Sequence, residues 1–130
     1  MKLGSDDNLK SLGLFWLRVL VGLGVARHGF GKLFTGQMPT FTILVAKMGF
    51  PHPAFFAWCS ALSEFVGGIL LVLGLRTRLA ALFVFLSFTV AVFVHHKTDP
   101  LQAKELALVY WVVAGAVIMT GAGKISLDRS

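Results

Sequence analysis

Four stretches of the chain are apolar almost without interruption, and the polar residues collect between them. They run from about 11 to 34, 54 to 75, 78 to 96 and 105 to 123. A helix needs roughly 20 mostly apolar residues to cross a bilayer, so the pattern predicts four transmembrane helices. The third and fourth carry the longest uncharged cores, LAALFVFLSFTVAVFV and LALVYWVVAGAVIMTGAG, while Glu64 interrupts the second. The first is not a cleaved signal peptide by pattern, because it lacks a small-x-small site and continues directly into charged residues. All four prolines, Pro39, Pro51, Pro53 and Pro100, fall between the segments. Proline lacks an amide donor and clashes inside a helix, so this placement supports the division.

The connections carry their own signals. Asp99-Pro100-Leu101-Gln102 reads as an N-cap, a proline at the first helical position and a reciprocal Gln, which starts the fourth helix. Thr77 is placed to cap the third. The Leu73–Arg78 connection is short enough to force an antiparallel hairpin. Between the first two spans, residues 40–49 put Phe41, Leu44, Val45 and Met48 on one helical face with Lys47 off it, the pattern of a short helix lying on the membrane surface. The expected fold is all-α and polytopic: an antiparallel bundle of four transmembrane helices, with one interfacial helix between the first and second.

Composition agrees. The chain is 56% hydrophobic with a mean hydropathy of +0.79, and only 14% of its residues are charged, against about a quarter in a soluble domain. The net charge of +6 therefore points to lipid head groups rather than to a nucleic acid. Lys2, Lys10, Arg18, Arg76, Arg78, Lys124 and Arg129 gather on one side. Arg27, Lys32, Lys47, Lys97 and Lys104 gather on the other. The excess places both termini in the cytoplasm. A single cysteine, Cys59, excludes an internal disulfide and a C-x-x-C redox pair.

The charges inside the spans are the candidate chemistry. The first span reads LRVLVGLGVARHGFGKLF and holds Arg18, Arg27, His28 and Lys32. Each ionisable group costs roughly 2.5–3.5 kcal/mol at a bilayer centre, so Glu64 needs a partner or a proton. Helical side chains lean toward their own N-terminus. His28 and Lys32 therefore lean inward, toward Glu64, as does His95 or His96 at the end of the third span. Glu105 enters the fourth near the same level. Arg18 leans the other way and can snorkel to the inner interface. At about 100° per residue, Arg18, His28 and Lys32 share a sector of the first helix and Arg27 lies opposite, within reach of head groups. Arg76, Arg78 and Asp128 read as interfacial or structural charge. The expected layer of His28, Lys32, Glu64, His95, His96 and Glu105 is open to two readings: a latch that fixes helix packing, or a small-molecule pocket such as a quinone head-group site, where His and Glu also handle protons. Lipid binding or transport of a small solute is a third. No metal is expected, because His28, His52, His95 and His96 form no tight cluster with Cys59, and no second tier of histidines suggests haem. Trp16, Trp58 and Trp111 sit near span ends as interface anchors, and Cys59 reads as a small packed residue. Gly22, Gly24, Gly67, Gly68 and Gly115 allow close helix approach, within the bundle or between copies in a homo-oligomer.

LRVLVGLGVARHGFGKLF resembles the opening signature of the DoxX family of small four-helix membrane proteins. MGFPHPAFFAWCSALSEFVGGILLVLGLRTRLAAL is similar to that family's Gly-Phe-Pro turn, Glu-x-x-Gly-Gly helix and Gly-Leu-x-Thr-Arg hairpin. KELALVYWVVAGAVIMTGAGKISLDR is similar to its Glu-Leu-Ala-Leu helix and Gly-x-Gly-x-x-Ser-Leu-Asp ending. The ordered set covers the chain from about Leu12 to Arg129. The resemblance implies a multi-pass protein of a bacterial cytoplasmic (inner) membrane. It also implies a link to quinones and redox stress, since relatives include a membrane subunit of a thiosulfate:quinone oxidoreductase and others act with soluble redox proteins. The polar positions that match are Arg18, His28, Lys32, Glu64, Glu105 and Asp128. The expectation is a quinone-interacting component with no covalently bound cofactor. The alternative is an anchor or assembly subunit for a redox partner. With no cysteine pair, any sulfur chemistry would come from that partner.

Overall fold

A computed structural model of the chain describes residues 6–95 and 100–128, without the side chains of His95 and Ala103. Every regular element among them is helical: α1 (Asp6–Phe34), α2 (Met38–Lys47), α3 (Pro53–Leu73), α4 (Thr77–Val90) and α5 (Leu101–Thr120). A π-helical turn, Ala91–His95, extends α4. Three helical segments are long and apolar enough to cross a membrane: α1, α3 and the run from Thr77 to Val94. Helix α5 spans 20 residues and carries Lys104 and Glu105 near its start.

The helix ends follow from local chemistry. Asp6 and Asp7 occupy the first turn of α1 and Lys32 its last, each on the side the helix dipole favours. Pro53 opens α3, and Gly74 closes it in the left-handed region at φ 67°, where a side chain is strained. Two expected caps are corrected. Thr77 is the first residue of α4 rather than its cap; Arg76 holds the N-cap position, with no side-chain cap of its own. Pro100 takes the N-cap position of α5 instead of its first helical position, and Asp99 lies outside the described residues.

Helices α1 and α3 form the most extensive interface, α3 then packs on α4, and α4 on α5, while α1 touches α5 only slightly. The α1–α3 contact is close because it is made of small residues. A Cβ added to Gly68 would lie 2.5 Å from the backbone nitrogen of Ala26, and one on Gly22 would lie 2.7 Å from the Gly68 carbonyl oxygen. With Gly29 packed on Phe65 in the same seam, these glycines are engaged inside one chain. Van der Waals packing of this kind supplies helix association where lipid removes the hydrophobic drive. The main core gathers Val25, Leu71, Ala80, Ala81, Val84, Phe88, Ala114 and Val117. A second cluster seats α2 on α3 through Met38, Val45, Ala57 and Ala61.

Large apolar side chains cover the outside, including Trp16 at 69% and Trp58 at 48% exposure. A surface like this suits lipid and not water. Trp111 departs from the expected anchor role: it stacks on Phe85 with ring centroids 5.4 Å apart and donates its indole N–H to Thr89 Oγ1 at 2.9 Å. Cys59, expected to be packed, is exposed.

Candidate functional site

The bundle has two polar ends, and α1 contributes a cation to each. At one end Lys32 Nζ donates to Glu64 Oε2 at 2.6 Å, and the Glu64 side chain is only 5% exposed. The lean of both side chains toward their helix N-termini brings them to one level from antiparallel helices. Lys32 also lies 4.2 Å from the centre of the Phe41 ring, a cation–π contact that ties α2 to the pair.

Beside this pair lies a cavity of about 490 Å³ that all five helices border, a size usual for small-molecule sites. His28, Lys32, Gln37, Thr40, Ser60, Glu64 and Ser87 give it polar walls, and Phe41, Leu44, Met48, Phe88, Val90, Leu106 and Ala107 complete it with apolar ones. His28 is an exposed residue whose ring stands edge-on to Phe88 at 6.4 Å and to Tyr110 at 5.7 Å. Ser60 Oγ and Ser87 Oγ share a hydrogen bond of 2.8 Å and so link α3 to α4 at the wall.

Of the expected layer, the structure brings His28, Lys32 and Glu64 to this cavity. Glu105 is exposed at the start of α5 and does not line it, although Leu106 and Ala107 do. Helix α5 turns the neighbours of Glu105 toward the space and Glu105 away. The His95 side chain and all of His96 lie outside the described residues. Arg27 is exposed and does not line the cavity. Gln37, Thr40, Ser60 and Ser87 were missed, because uncharged polar residues in loops and helices carry no sequence signal of their own until the fold collects them. The π-turn whose first residue, Ala91, borders the cavity was missed as well; such bulges are frequent at functional sites.

The other end is built differently. Arg18 is 2% exposed. Its Nε donates to the Leu71 carbonyl at 2.7 Å, its Nη1 to that of Ala122 at 2.6 Å and its Nη2 to that of Ile125 at 2.8 Å. It does not snorkel to head groups, as the sequence suggested, because the chain after α5 folds back over it and supplies the acceptors. The same segment closes the α3–α4 turn: the amides of Leu127 and Asp128 donate to the carbonyls of Leu73 and Gly74. The Asp128 carboxylate accepts from the backbone N–H of Arg76 at 2.6 Å and of Thr77 at 3.0 Å. Asp128 thus caps α4 from 51 residues away. Partial burial would raise its pKa, but hydrogen bonds from Thr77 and Arg76 and the nearby Arg18 charge outweigh it and hold the carboxyl below its usual range. Arg76 and Arg78 are exposed beside it.

A model of the DoxX family matches residues 13–97. The chain belongs to the DoxX family. It is an integral membrane protein of that family, and the matched segment takes in most of α1 and all of α2, α3 and α4, hence Arg18, His28, Lys32 and Glu64. Glu105 and Asp128 lie beyond it. The chain is also 37% identical over 123 residues to the inner membrane protein YphA of Escherichia coli K12, across 86% of this chain and 85% of that protein. No solved structure matches.

Among the described residues no three His, Cys, Asp or Glu side chains come together as a metal site would need. The cavity lining offers a cation, a carboxylate, an imidazole, an amide and three hydroxyls together with aromatic and aliphatic contacts.

Proposed function

We propose that this DoxX protein is a quinone-interacting membrane component of a redox system in a bacterial inner membrane. Its four long helices would span the bilayer as an antiparallel bundle, with both termini in the cytoplasm and the Lys32–Glu64 cavity in the outer half. The observation that carries the reading is the buried Glu64 carboxylate, bonded to Lys32 at 2.6 Å on the wall of a mainly apolar cavity with several polar groups. A buried ion pair is weak evidence of stability alone, and charges retained at membrane depth mark function by default. A quinone accepts and releases protons as it changes redox state. His28 and Glu64 would form hydrogen bonds to its oxygens and pass those protons, and Lys32 would supply the counter-charge of Glu64. The inner-membrane location follows the name of the relative YphA. A soluble or membrane redox partner would exchange electrons with the bound ligand, since the chain holds one cysteine and no redox pair.

Native mass spectrometry of protein purified in mild detergent, with organic extraction of what accompanies it, tests the proposal. A stoichiometric quinone in the wild type that is lost in His28→Ala and Glu64→Gln is the expected result. Phospholipid alone, in wild type and variants alike, would overturn it. One observation favours a second reading, a packing latch in an anchor or assembly subunit: the Lys32–Glu64 bond directly joins α1 to α3, the two most closely packed helices. On that reading Glu64→Gln lowers thermal stability and no ligand is found in any form.

A further inference from the structure

A second, apolar cavity of about 270 Å³ lies between α2, α3 and α4. Phe41, Met48, Ser60, Ser87 and Val90 border both it and the polar cavity. Beyond those shared residues its walls are Val45, Phe50, Phe56, Cys59, Ser63, Phe83 and Leu86. Of these, Phe56, Cys59, Phe83 and Leu86 are exposed on the outer surface of the bundle, which is the lipid-facing surface. One space holds the ion pair and the imidazole; the other is nearly all hydrocarbon and aromatic; a single row of side chains separates them.

We propose that the apolar cavity is the tail site of a long-chain amphipathic ligand, which enters sideways from the bilayer between α2 and α4 and places its hydrogen-bonding head beside Lys32 and Glu64. This rests on the head-group reading above and narrows its ligand class to molecules with a hydrocarbon chain. The shared wall of the two cavities commits the groove to this occupant: once that row of side chains parts, a tail attached to a head beside Glu64 has the groove as its apolar exit. Met48 sits at the junction, and its unbranched thioether chain is the side chain best suited to move aside. Helix α2 rests on α3 through a small cluster of its own, so it can shift without disturbing the main core. Selectivity then follows from packing: a tail seated in the groove gains van der Waals contacts with its walls, whereas a tail-less head leaves the groove unfilled.

Cys59, the chain's sole cysteine, lines the groove and not the polar cavity, and serves as a built-in reporter. The protein in lipid nanodiscs is treated with N-(1-pyrenyl)maleimide in the presence of 2,3-dimethoxy-5,6-dimethyl-1,4-benzoquinone or 6-decyl-2,3-dimethoxy-5-methyl-1,4-benzoquinone, both fully ring-substituted so that neither offers an open ring carbon to the Cys59 thiol, and binding of both is measured. Compared at equal mole fraction in the lipid, the decyl compound is expected to bind severalfold more tightly and to slow Cys59 labelling severalfold. The tail-less compound at saturation is expected to leave labelling unchanged. A Ser63→Trp variant, which fills the groove, should lower decyl affinity to the tail-less value and leave tail-less binding intact; that intact binding also shows that the variant folds. Equal affinity of the two compounds, with Cys59 equally reactive throughout, would overturn the tail site while the head site stands. If neither compound binds, both readings fall. Decyl protection of Cys59 that persists in Glu64→Gln, with no tail-less binding in the wild type, would also overturn the proposal, since the groove would then hold chains without regard to the polar cavity.

Discussion

Arg18 and Lys32 stand on one helix, about four turns apart, and both are cations where lipid-depth burial is costly. Their surroundings differ in kind. Arg18 is held by three backbone carbonyls and sits 2% exposed. Lys32 holds one side-chain carboxylate and is 20% exposed on the edge of a cavity. Backbone acceptors cannot change protonation or leave, so the Arg18 end is fixed. A carboxylate can exchange its partner for a proton or a ligand, so the Lys32 end is adjustable. Guanidinium suits the first role, with several donors in a rigid fork, and ammonium the second, as a compact charge on a flexible stem.

The widest break between the two ends is predicted at Arg18. Arg18→Met keeps most of the volume and removes every donor, leaving the Leu71, Ala122 and Ile125 carbonyls without their partner. Each such loss costs on the order of 1–3 kcal/mol, and the segment after α5 is released with it. A drop of roughly 3–5 kcal/mol is expected in thermal or denaturant unfolding in detergent, with little folded protein recovered. A variant as stable as the wild type would show that the carbonyls find water instead.

Glu64→Gln should cost less, roughly 1–3 kcal/mol, because Lys32 can turn its charge toward the cavity opening. The sharper measurement is the double variant Lys32→Met with Glu64→Gln. With no charge left unpaired, it should regain most of the lost stability, while ligand binding stays abolished. Additive losses in the double variant would mean that the two residues act through separate contacts, and the adjustable pair would lose its standing.

The difference between the ends also governs what could be read from the sequence. Helical periodicity and the lean of side chains put Lys32 and Glu64 at one level, because both sit in regular helices whose geometry is local and repetitive. The same rules failed for Arg18. Its acceptors at Ala122 and Ile125 lie 104 and 107 residues away in an irregular segment, where no period applies. Asp128 reads from the sequence only as interfacial or structural charge, and its particular role as the cap of α4 needs the fold to bring this segment to the α3–α4 turn. Thr77, the local candidate, was the better sequence expectation and was displaced by a stronger acceptor from a distance. Ser60 and Ser87 escaped notice for the related reason that a cavity wall is a property of several helices at once.

The smallest effect is expected at Asp128, and it sharpens the contrast by pH. Asp128→Ala removes a side-chain cap worth about 1 kcal/mol, so the wild type should unfold at a slightly higher temperature than the variant near neutrality. The folded state lowers the Asp128 pKa from its ordinary value of 3.8. A depressed carboxyl pKa stabilises the fold above the unfolded value, and that contribution is lost as pH falls through the folded one. The gap in unfolding temperature should therefore hold steady from about pH 7 to about pH 5 and then close as the solution is made more acidic. Arg18 keeps its charge throughout, and so do its carbonyl contacts. Acid should thus remove the cap and leave the rest of the clasp in place, which a scan of unfolding temperature against pH for wild type and Asp128→Ala would reveal. If the gap instead persisted unchanged at the lowest pH, the capping would not depend on the carboxylate charge, and the pairing of Asp128 with the Arg76 and Thr77 amides would be the contact to discard.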